Sequence, residues 1–494
     1  KFGRGETLTY PDNTKNVVKY ANNGDLTEET NARGEMIRHF YDPEGRLIQT
    51  IWPNGRVFSW KYDQCGNCTN ASDSVTGTVK MEFDAKEQLV RIEYPQGRGF
   101  AYEYDECGRV LARTSFDGHA QKYIYDDFGR VSKILNGDNR IYVENEYDEL
   151  TGNLILQTYG NGTTVSNSYD LLDRTVSITH RKANGEVLEE FSYSYNEDGL
   201  RTSQSSSEGI EQYGYDVSGQ LVAVTYPDGE CESFSYDAVG NRIASLDNSY
   251  TINSLNQYSS VANGDNLSEI SYDMDGNVIK IKSDGNETDY FYDCQSRLIG
   301  VSNVVKGIAW SCEYNVFGDR VIINDKGSVS ERVYVHSSIP ILIAEYQKDK
   351  TPIRYINSGL MIVAEECDDS IRYYHSDGVS SIRIQTDSSG GVIGSASFRV
   401  FGEVRKNTGD MLTCGFVGAL GVERDSTGLL FMRNRYYDVA VGRFVQRDPI
   451  GFSGEDVNWY RYCGNNPTAG IDGHERTHRK SGIAQIHAIA TLCG

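Results

Sequence analysis

Apolar and polar residues alternate along most of this chain, as in Phe191-Ser192-Tyr193-Ser194-Tyr195 and Tyr123-Ile124-Tyr125. A period of two over five to eight residues predicts half-buried β-strands. The strands are punctuated by a repeated turn, aromatic-Asp-x-x-Gly-[Arg/Asn], usually followed by Leu or Val. Strong copies begin at Tyr41, Tyr104, Tyr125 and Tyr236; weaker ones begin at Tyr20, Tyr62, Phe83, Tyr147, Tyr169, Tyr195, Tyr215, Ile252, Tyr272, Tyr292 and Tyr314. From Tyr20 to Tyr125 the step between copies is 21 residues five times in succession. A fixed period of this kind marks a repeat array. The Asp accepts from backbone N–H groups two or more residues on, and the Gly supplies the positive φ that closes the turn. A second turn lies between copies, as in Trp52-Pro53-Asn54-Gly55, Tyr94-Pro95-Gln96-Gly97 and Tyr226-Pro227-Asp228-Gly229. Two turns per unit mean two strands per unit, so the chain reads as a long antiparallel meander of some thirty strands. Sheet twist forces so long a meander to coil, close or split. The tyrosines are expected to stack between neighbouring units. The Tyr-Asp pairs read as turn and ladder pieces, not as catalytic carboxylates.

Composition adds limits. Length alone suggests about three domains, but a repeat array grows without dividing its core. Lys and Arg number 48 against 70 Asp and Glu, a formal charge of −22 in 494 residues. That balance disfavours nucleic acid and anionic membranes as partners, because neutralising phosphates takes clustered cations. No run of 18 apolar residues exists to span a bilayer as a helix. Ten cysteines at irregular spacing make no disulfide scaffold, and Cys65-Gly66-Asn67-Cys68 lacks the second pair of a zinc site. The opening Lys1-Phe2-Gly3-Arg4 carries neither an initiator Met nor a signal core, so the chain reads as the inside of a longer protein.

The units resemble the YD repeats of the RHS/teneurin superfamily over about residues 1–335. The resemblance implies an all-β fold, a spiral of β-hairpins forming a hollow shell or cocoon, with a C-terminal core that plugs it. Residues 336–370 read as degenerate repeats. From Ile371 the text changes: Tyr373-Tyr374-His375-Ser376-Asp377-Gly378 is followed by Phe398-Arg399-Val400-Phe401-Gly402-Glu403. Then come Arg433-Asn434-Arg435-Tyr436-Tyr437-Asp438, Gly442-Arg443-Phe444-Val445-Gln446-Arg447-Asp448-Pro449-Ile450-Gly451 and Asn465-Asn466-Pro467. In that order these resemble the RHS repeat-associated core, assigned here to residues 371–473.

In toxin-bearing members the core is an aspartic self-cleaving protease, and its acidic positions fall on Asp448 and Asp472, with Arg447 as the basic residue before the first. Two carboxylates sharing a site split their proton affinities, so one serves as base toward water and the other as acid. The resemblance breaks after Asp472: the family's Pro-x-Gly-Leu is replaced by Gly473-His474-Glu475-Arg476. Only 22 residues follow Asp472, below the roughly 40 of an unaided folded domain, so residues 474–494 read as a short tail without a toxin. His474-Glu475-Arg476-Thr477-His478 matches H-E-x-x-H, the two-histidine face of a zinc site. Ser481-Gly482 interrupts that helix and His487 does not fit a third-ligand spacing, so neither metal nor cofactor is expected.

The functional expectation is therefore a bacterial RHS-repeat shell, secreted or at the cell surface. It would encapsulate and deliver a C-terminal polymorphic toxin, with autoproteolysis at Asp448 and Asp472 rather than turnover. Expected partners are its own C-terminal effector segment, secretion machinery and an immunity protein. The alternative is a non-enzymatic adhesion protein whose aromatic exterior stacks on carbohydrate, or an orphan fragment without cargo.

Overall fold

The computed structural model describes residues 7–335, 339–368, 370–409, 411, 413–454 and 456–468. Among these, 39 strands from Thr7–Thr9 to Val404–Thr408 form one antiparallel ribbon in which each strand pairs with its neighbours in the chain. The ladder runs without a break across the change of sequence character at Ile371. The strands Met361–Cys367, Ser370–Ser376 and Ile382–Thr386 pair in order like those before them. Backbone pairing needs turns and alternation, not the Tyr-Asp side chains, so the sheet outlasts the motif.

Three ties recur along the repeats, though not every unit carries all of them. The Asp caps its own turn: in the unit at Tyr125, Asp126 Oδ1 accepts from the Phe128 and Arg130 amides at 3.0 and 2.8 Å, while Oδ2 accepts from Arg130 Nε at 2.7 Å. The Tyr hydroxyl donates back to the first strand of the preceding unit: Tyr62 to the Leu47 carbonyl (2.8 Å), Tyr104 to Leu89 (2.7 Å), Tyr125 to Val110 (2.8 Å), Tyr236 to Leu221 (2.8 Å). Among the described residues, no ring pairing joins motif tyrosines such as Tyr125, Tyr147 and Tyr314 to those of the next unit, where stacking was expected. Their rings are covered instead by the arginine of the preceding turn: Arg46 over Tyr62 (4.9 Å), Arg109 over Tyr125 (4.5 Å), Arg130 over Tyr147 (4.6 Å), Arg297 over Tyr314 (4.6 Å). A guanidinium held by its own Asp presents a cation to the negative face of the next ring. That geometry is better than ring on ring at a two-strand spacing of ~9.6 Å.

Curvature has an equally local origin. In unit after unit the register slips at the motif tyrosine, between Glu103 and Tyr104, Ile124 and Tyr125, Ser168 and Tyr169, Ser235 and Tyr236, Glu313 and Tyr314. One β-bulge per hairpin bends and twists the ribbon the same way each time, and the ribbon winds into a spiral. Contacts across its turns give the pitch. Arg33 binds Asp275, 242 residues on; Tyr94 donates to the Tyr334 carbonyl at 240; Tyr159 to Tyr374 at 215; Arg399 reaches Glu232 at only 167. About 23 strands at ~4.8 Å give the first turn a circumference on the order of 110 Å and a width near 35 Å. The shrinking separation shows the second turn running inward.

The core lies between these layers. Val79, Met81 and Ile92 of the outer layer pack on Val333, Ile343 and Tyr346 of the inner one, and Ile134, Val143 and Phe191 pack on Ile356, Val363 and Tyr373. After Thr408 the chain leaves the ribbon. It forms a small four-stranded sheet, Glu423–Arg424, Leu430–Met432, Arg435–Asp438 and Arg443–Phe444. This plug packs inside the wall: Leu429, Phe431 and Tyr436 lie against Leu298, Trp310 and Ile323, and Tyr437, Phe444 and Tyr462 join Leu221, Phe234 and Phe398.

Candidate functional site

The plug is fastened to the wall by charge as well as by apolar contact. Arg320, on the wall strand Arg320–Asp325, is fully buried. Its Nη1 lies 2.7 Å from Asp425 Oδ2 and 2.8 Å from Tyr436 Oη, its Nη2 lies 3.0 Å from Glu423 Oε2, and its guanidinium sits 3.8 Å over the Phe431 ring. Arg332, on the next wall strand, also pairs with Glu423 and lies 3.2 Å from Glu345. Burial pushes the Asp425 carboxyl above its ordinary range, against the pull of both arginines. Beside this cluster lies a cavity of about 30 Å³ lined by Tyr334, Asn357, Leu420 and Glu423 among others. A second polar lock uses Arg443, whose Nη2 reaches Asn241 (3.2 Å), the Asn256 carbonyl (2.8 Å) and Asn458 (2.8 Å).

Asp448 sits where the plug turns after its last strand. Its amide donates to the Trp459 carbonyl at 2.9 Å, and Oδ1 accepts from the Ile450 amide at 3.0 Å, capping the turn through Pro449. Oδ2 lies 3.1 Å from Arg435 Nη1; the side chains are 18% and 10% exposed. Arg435 is fixed in turn by the Trp459 carbonyl (3.2 Å) and by the Phe444 ring (3.7 Å). Arg447 turns elsewhere: its guanidinium lies 4.3 Å over the Tyr10 ring and 6.0 Å from Trp459. The cation on Asp448 is thus Arg435. It belongs to the Arg-Asn-Arg-Tyr-Tyr-Asp motif, and no spacing in the sequence assigns it to an acid 13 positions on. The Arg320 hub was invisible for the same reason, since its partners lie about a hundred residues away.

Asp472, His474 and His478 lie outside the described residues, as does His487. Among the described residues no group of three or more His, Cys, Asp or Glu is placed to hold a metal ion, and Cys65 and Cys68 are free thiols, one exposed and one buried. Chemically, the described part of the site offers one carboxylate, oriented by a backbone amide and a guanidinium. The proton donor that acid–base hydrolysis also requires is not among these groups.

Known proteins place this architecture. A family model described as Teneurin YD-shell matches residues 3–127, 117–255 and 164–468. The chain is 28% identical over 349 residues to a tRNA3(Ser)-specific nuclease WapA of Bacillus spizizenii, covering 67% of this chain and 14% of that protein. It is 26% identical over 392 residues to double-stranded DNA deaminase toxin A of Burkholderia cenocepacia, covering 70% and 26%. It therefore spans only a minor part of the length of these relatives. A crystal structure of TcdB2-TccC3-TEV superposes with a TM-score of 0.72 at 16% identity, covering 94% of this chain and 28% of that one, a likeness of fold. No helix among the described residues is long and apolar enough to cross a membrane. The bulged hairpin spiral, its inward second turn and the family match over most of the length agree: the chain belongs to the teneurin YD-shell family.

Proposed function

We propose that this chain is the closing portion of a secreted or surface-exposed bacterial β-shell that encloses a C-terminal effector and delivers it. The observation that carries the reading is the plug. The plug's described residues (411, 413–454 and 456–468) are held against the inner wall by a buried charge cluster and two apolar cores, so whatever follows the plug starts from inside contacts rather than from the outer surface. The relatives named as a nuclease and a deaminase toxin carry much longer chains around the matched part, which supports an effector as the cargo. Secretion machinery and an immunity protein are the partners such a protein needs.

Self-cleavage forms part of the proposal. Asp448, with Arg435 holding Oδ2, acts as the base: it takes a proton from water as that water attacks the scissile carbonyl carbon. Asp472 gives its proton to the leaving amide nitrogen as the C–N bond breaks. The experiment is expression of the chain with its native continuation, followed by denaturing electrophoresis and electron microscopy. The expected result is a released C-terminal fragment, its absence in Asp448→Asn, and density inside an ovoid particle. An intact polypeptide with identical behaviour of Asp448→Asn removes the protease; an open sheet with nothing inside removes encapsulation.

A further inference from the structure

The outer strand Thr175–Arg181 and the inner strand Ser370–Ser376 meet at two imidazoles. His180 is 1% exposed and His375 0%. His180 Nε2 lies 3.0 Å from the Ser376 carbonyl oxygen, the two Nδ1 atoms lie 3.2 Å apart, and His375 Nε2 lies 3.0 Å from Thr386 Oγ1.

These contacts select one arrangement of protons. A carbonyl only accepts, so His180 carries its hydrogen on Nε2 and, when neutral, has a bare Nδ1. His375 then donates from Nδ1 to that bare nitrogen, and its own bare Nε2 accepts from the Thr386 hydroxyl. A further proton on His180 sets N–H against N–H at 3.2 Å unless His375 moves its own hydrogen to Nε2, facing Thr386. On His375 it is met by turning the Thr386 hydroxyl, but it leaves a cation in a buried, aromatic site. The Phe191 ring stands edge-on to His180 at 6.1 Å, and the Tyr159 ring to His375 at 5.4 Å.

The charged and titratable groups on the surrounding elements are engaged elsewhere. Glu189, cross-strand from His180, accepts from the Ser207 amide (2.7 Å) and hydroxyl (2.5 Å). Asp377 pairs with Arg383 at 3.1 Å and accepts from the Ser381 amide. Arg201 lies over the Tyr193 ring, whose hydroxyl accepts from the Gly378 amide. Tyr159 donates to the Tyr374 carbonyl, and Glu366 is shared by Tyr142 and His119.

We propose that His180 and His375 form an acid-sensitive latch between the layers: neutral, they hold the inner strand against the outer one, and protonated, they open the seam. The latch is joined to the plug. The turn that follows His375, Asp377–Ser381, receives the Ala419 amide on the Ser380 carbonyl (3.1 Å) and gives the Ser381 hydroxyl oxygen to the Val417 amide (3.0 Å). Opening the seam therefore removes the support on which the plug leans. This inference stands on the layer contact alone and does not depend on the identity or presence of a cargo.

Burial holds the His180 imidazole down to about 4, and burial, with His180 beside it, holds His375 well below its ordinary value. A histidine depressed in the closed state stabilises that state above the free value of about 6.5, and the benefit is lost as pH falls toward 4. For His180 alone, going from pH 7.5 to 4 multiplies the open-to-closed ratio on the order of 100-fold.

The test uses the whole chain. Only eight histidines are present, so ¹³C/¹⁵N-histidine spectra resolve their titrations. Hydrogen exchange of peptides covering 175–181 and 370–386, corrected for intrinsic rate, reads the seam. Two imidazoles should stay neutral well below the ordinary histidine range, that of His180 until pH nears 4, and exchange at the seam should rise on the order of 100-fold from pH 7.5 to 4. The variant His180→Gln/His375→Asn keeps Nε2-like and Nδ1-like donors without a titration, and it should hold its protection at pH 4. If that variant does not fold, the wild-type titration and exchange still decide. All eight histidines titrating near pH 6.5, a seam whose exchange is flat with pH, or a folded variant that opens like wild type would each overturn the latch.

Discussion

Replacing Arg320 by methionine should detach the plug from the wall. The guanidinium is fully buried, touches two carboxylates at 2.7 and 3.0 Å and lies over Phe431. At 2.7 Å and an effective dielectric of ~20, the gross attraction of the Asp425 contact is about 6 kcal/mol. Desolvation takes back much of it, so the pair adds little net stability; removing one member is another matter, at about 3–5 kcal/mol. Methionine fills the stem and keeps an apolar contact with the ring. Glu423 and Asp425 are left with Arg332 alone. The Asp425 carboxyl, already pushed above its ordinary range by burial, must rise further. A carboxyl raised in the folded state stabilises below its free value near 3.8, and that stabilisation is lost as pH climbs through the folded value. The penalty of Arg320→Met is therefore largest near neutrality and shrinks toward pH 4. Trp310, 4% exposed with its ring 5.8 Å from Tyr436 of the plug, reports undocking by fluorescence during urea unfolding. The triple variant Arg320→Met/Glu423→Gln/Asp425→Asn should recover most of the loss. A penalty below about 1 kcal/mol, or one that does not change with pH, refutes the claim that this cluster holds the plug.

Two further perturbations address the wall. Tyr125→Phe deletes the 2.8 Å bond to the Val110 carbonyl while leaving the ring under Arg109, and urea unfolding should show a loss of about 1 kcal/mol. Tyr125→Leu also removes the cation–π contact and should lose ~0.5–1 kcal/mol more. Gly276→Ala places a Cβ 2.3 Å from Arg447 Nε and 2.5 Å from the Tyr460 hydroxyl, at a φ of +85°. Gly185→Ala, at φ +86° with nothing within 4 Å, carries the backbone strain of about 1–3 kcal/mol alone. The Gly276→Ala melting midpoint should fall further than that of Gly185→Ala, and the difference reads the close approach of Arg447 and Tyr460 to the wall at this turn.

The wall was legible because its rules are local. Asp126 and Gly129 serve their own turn, and the alternation of Phe191 to Tyr195 is a strand in which Phe191 and Tyr193 are buried while Ser194 is exposed. The bulge at each motif tyrosine was not legible, since it is a property of pairing and leaves no residue signature. Nor was the cation over each ring, because the sequence pairs Arg130 with its own Asp126 and gives no sign that it also serves Tyr147. The inner layer escaped for a different reason: contacts 240 and then 167 residues apart follow from accumulated curvature, and a 21-residue period does not state how much each unit bends. At the site, Asp448 was marked by the family resemblance. Its partner Arg435 was not, because the plug sheet folds the chain back through a geometry that spacing alone leaves open.

The wall and the plug are held by different kinds of bond, and the difference bears on how such a protein comes apart. In the wall the ties stay within a unit or join it to its neighbour: an Asp to its own turn, a hydroxyl to a carbonyl, a guanidinium to the next ring. These ties are repeated and partly solvated, so each contributes little and the loss of one is confined to a neighbouring pair. The turn positions between Asp and the positive-φ residue (Gly, or Asp173 in one unit) stay outside this scheme, which is why Phe128, Leu150, Leu171 and Val217 are exposed there. The plug depends on ties that occur once: Arg320 between Glu423 and Asp425, and Arg443 among Asn241, Asn256 and Asn458. Buried charges of this kind add little net stability beyond an apolar contact, but a misplaced plug leaves them unpaired at a penalty of several kcal/mol. They therefore act on register rather than on strength. This arrangement predicts that the plug leaves as one step once the inner layer yields, while the wall, joined mainly by its repeated ties and only locally by a buried pair such as Arg332–Glu345, keeps its pairing.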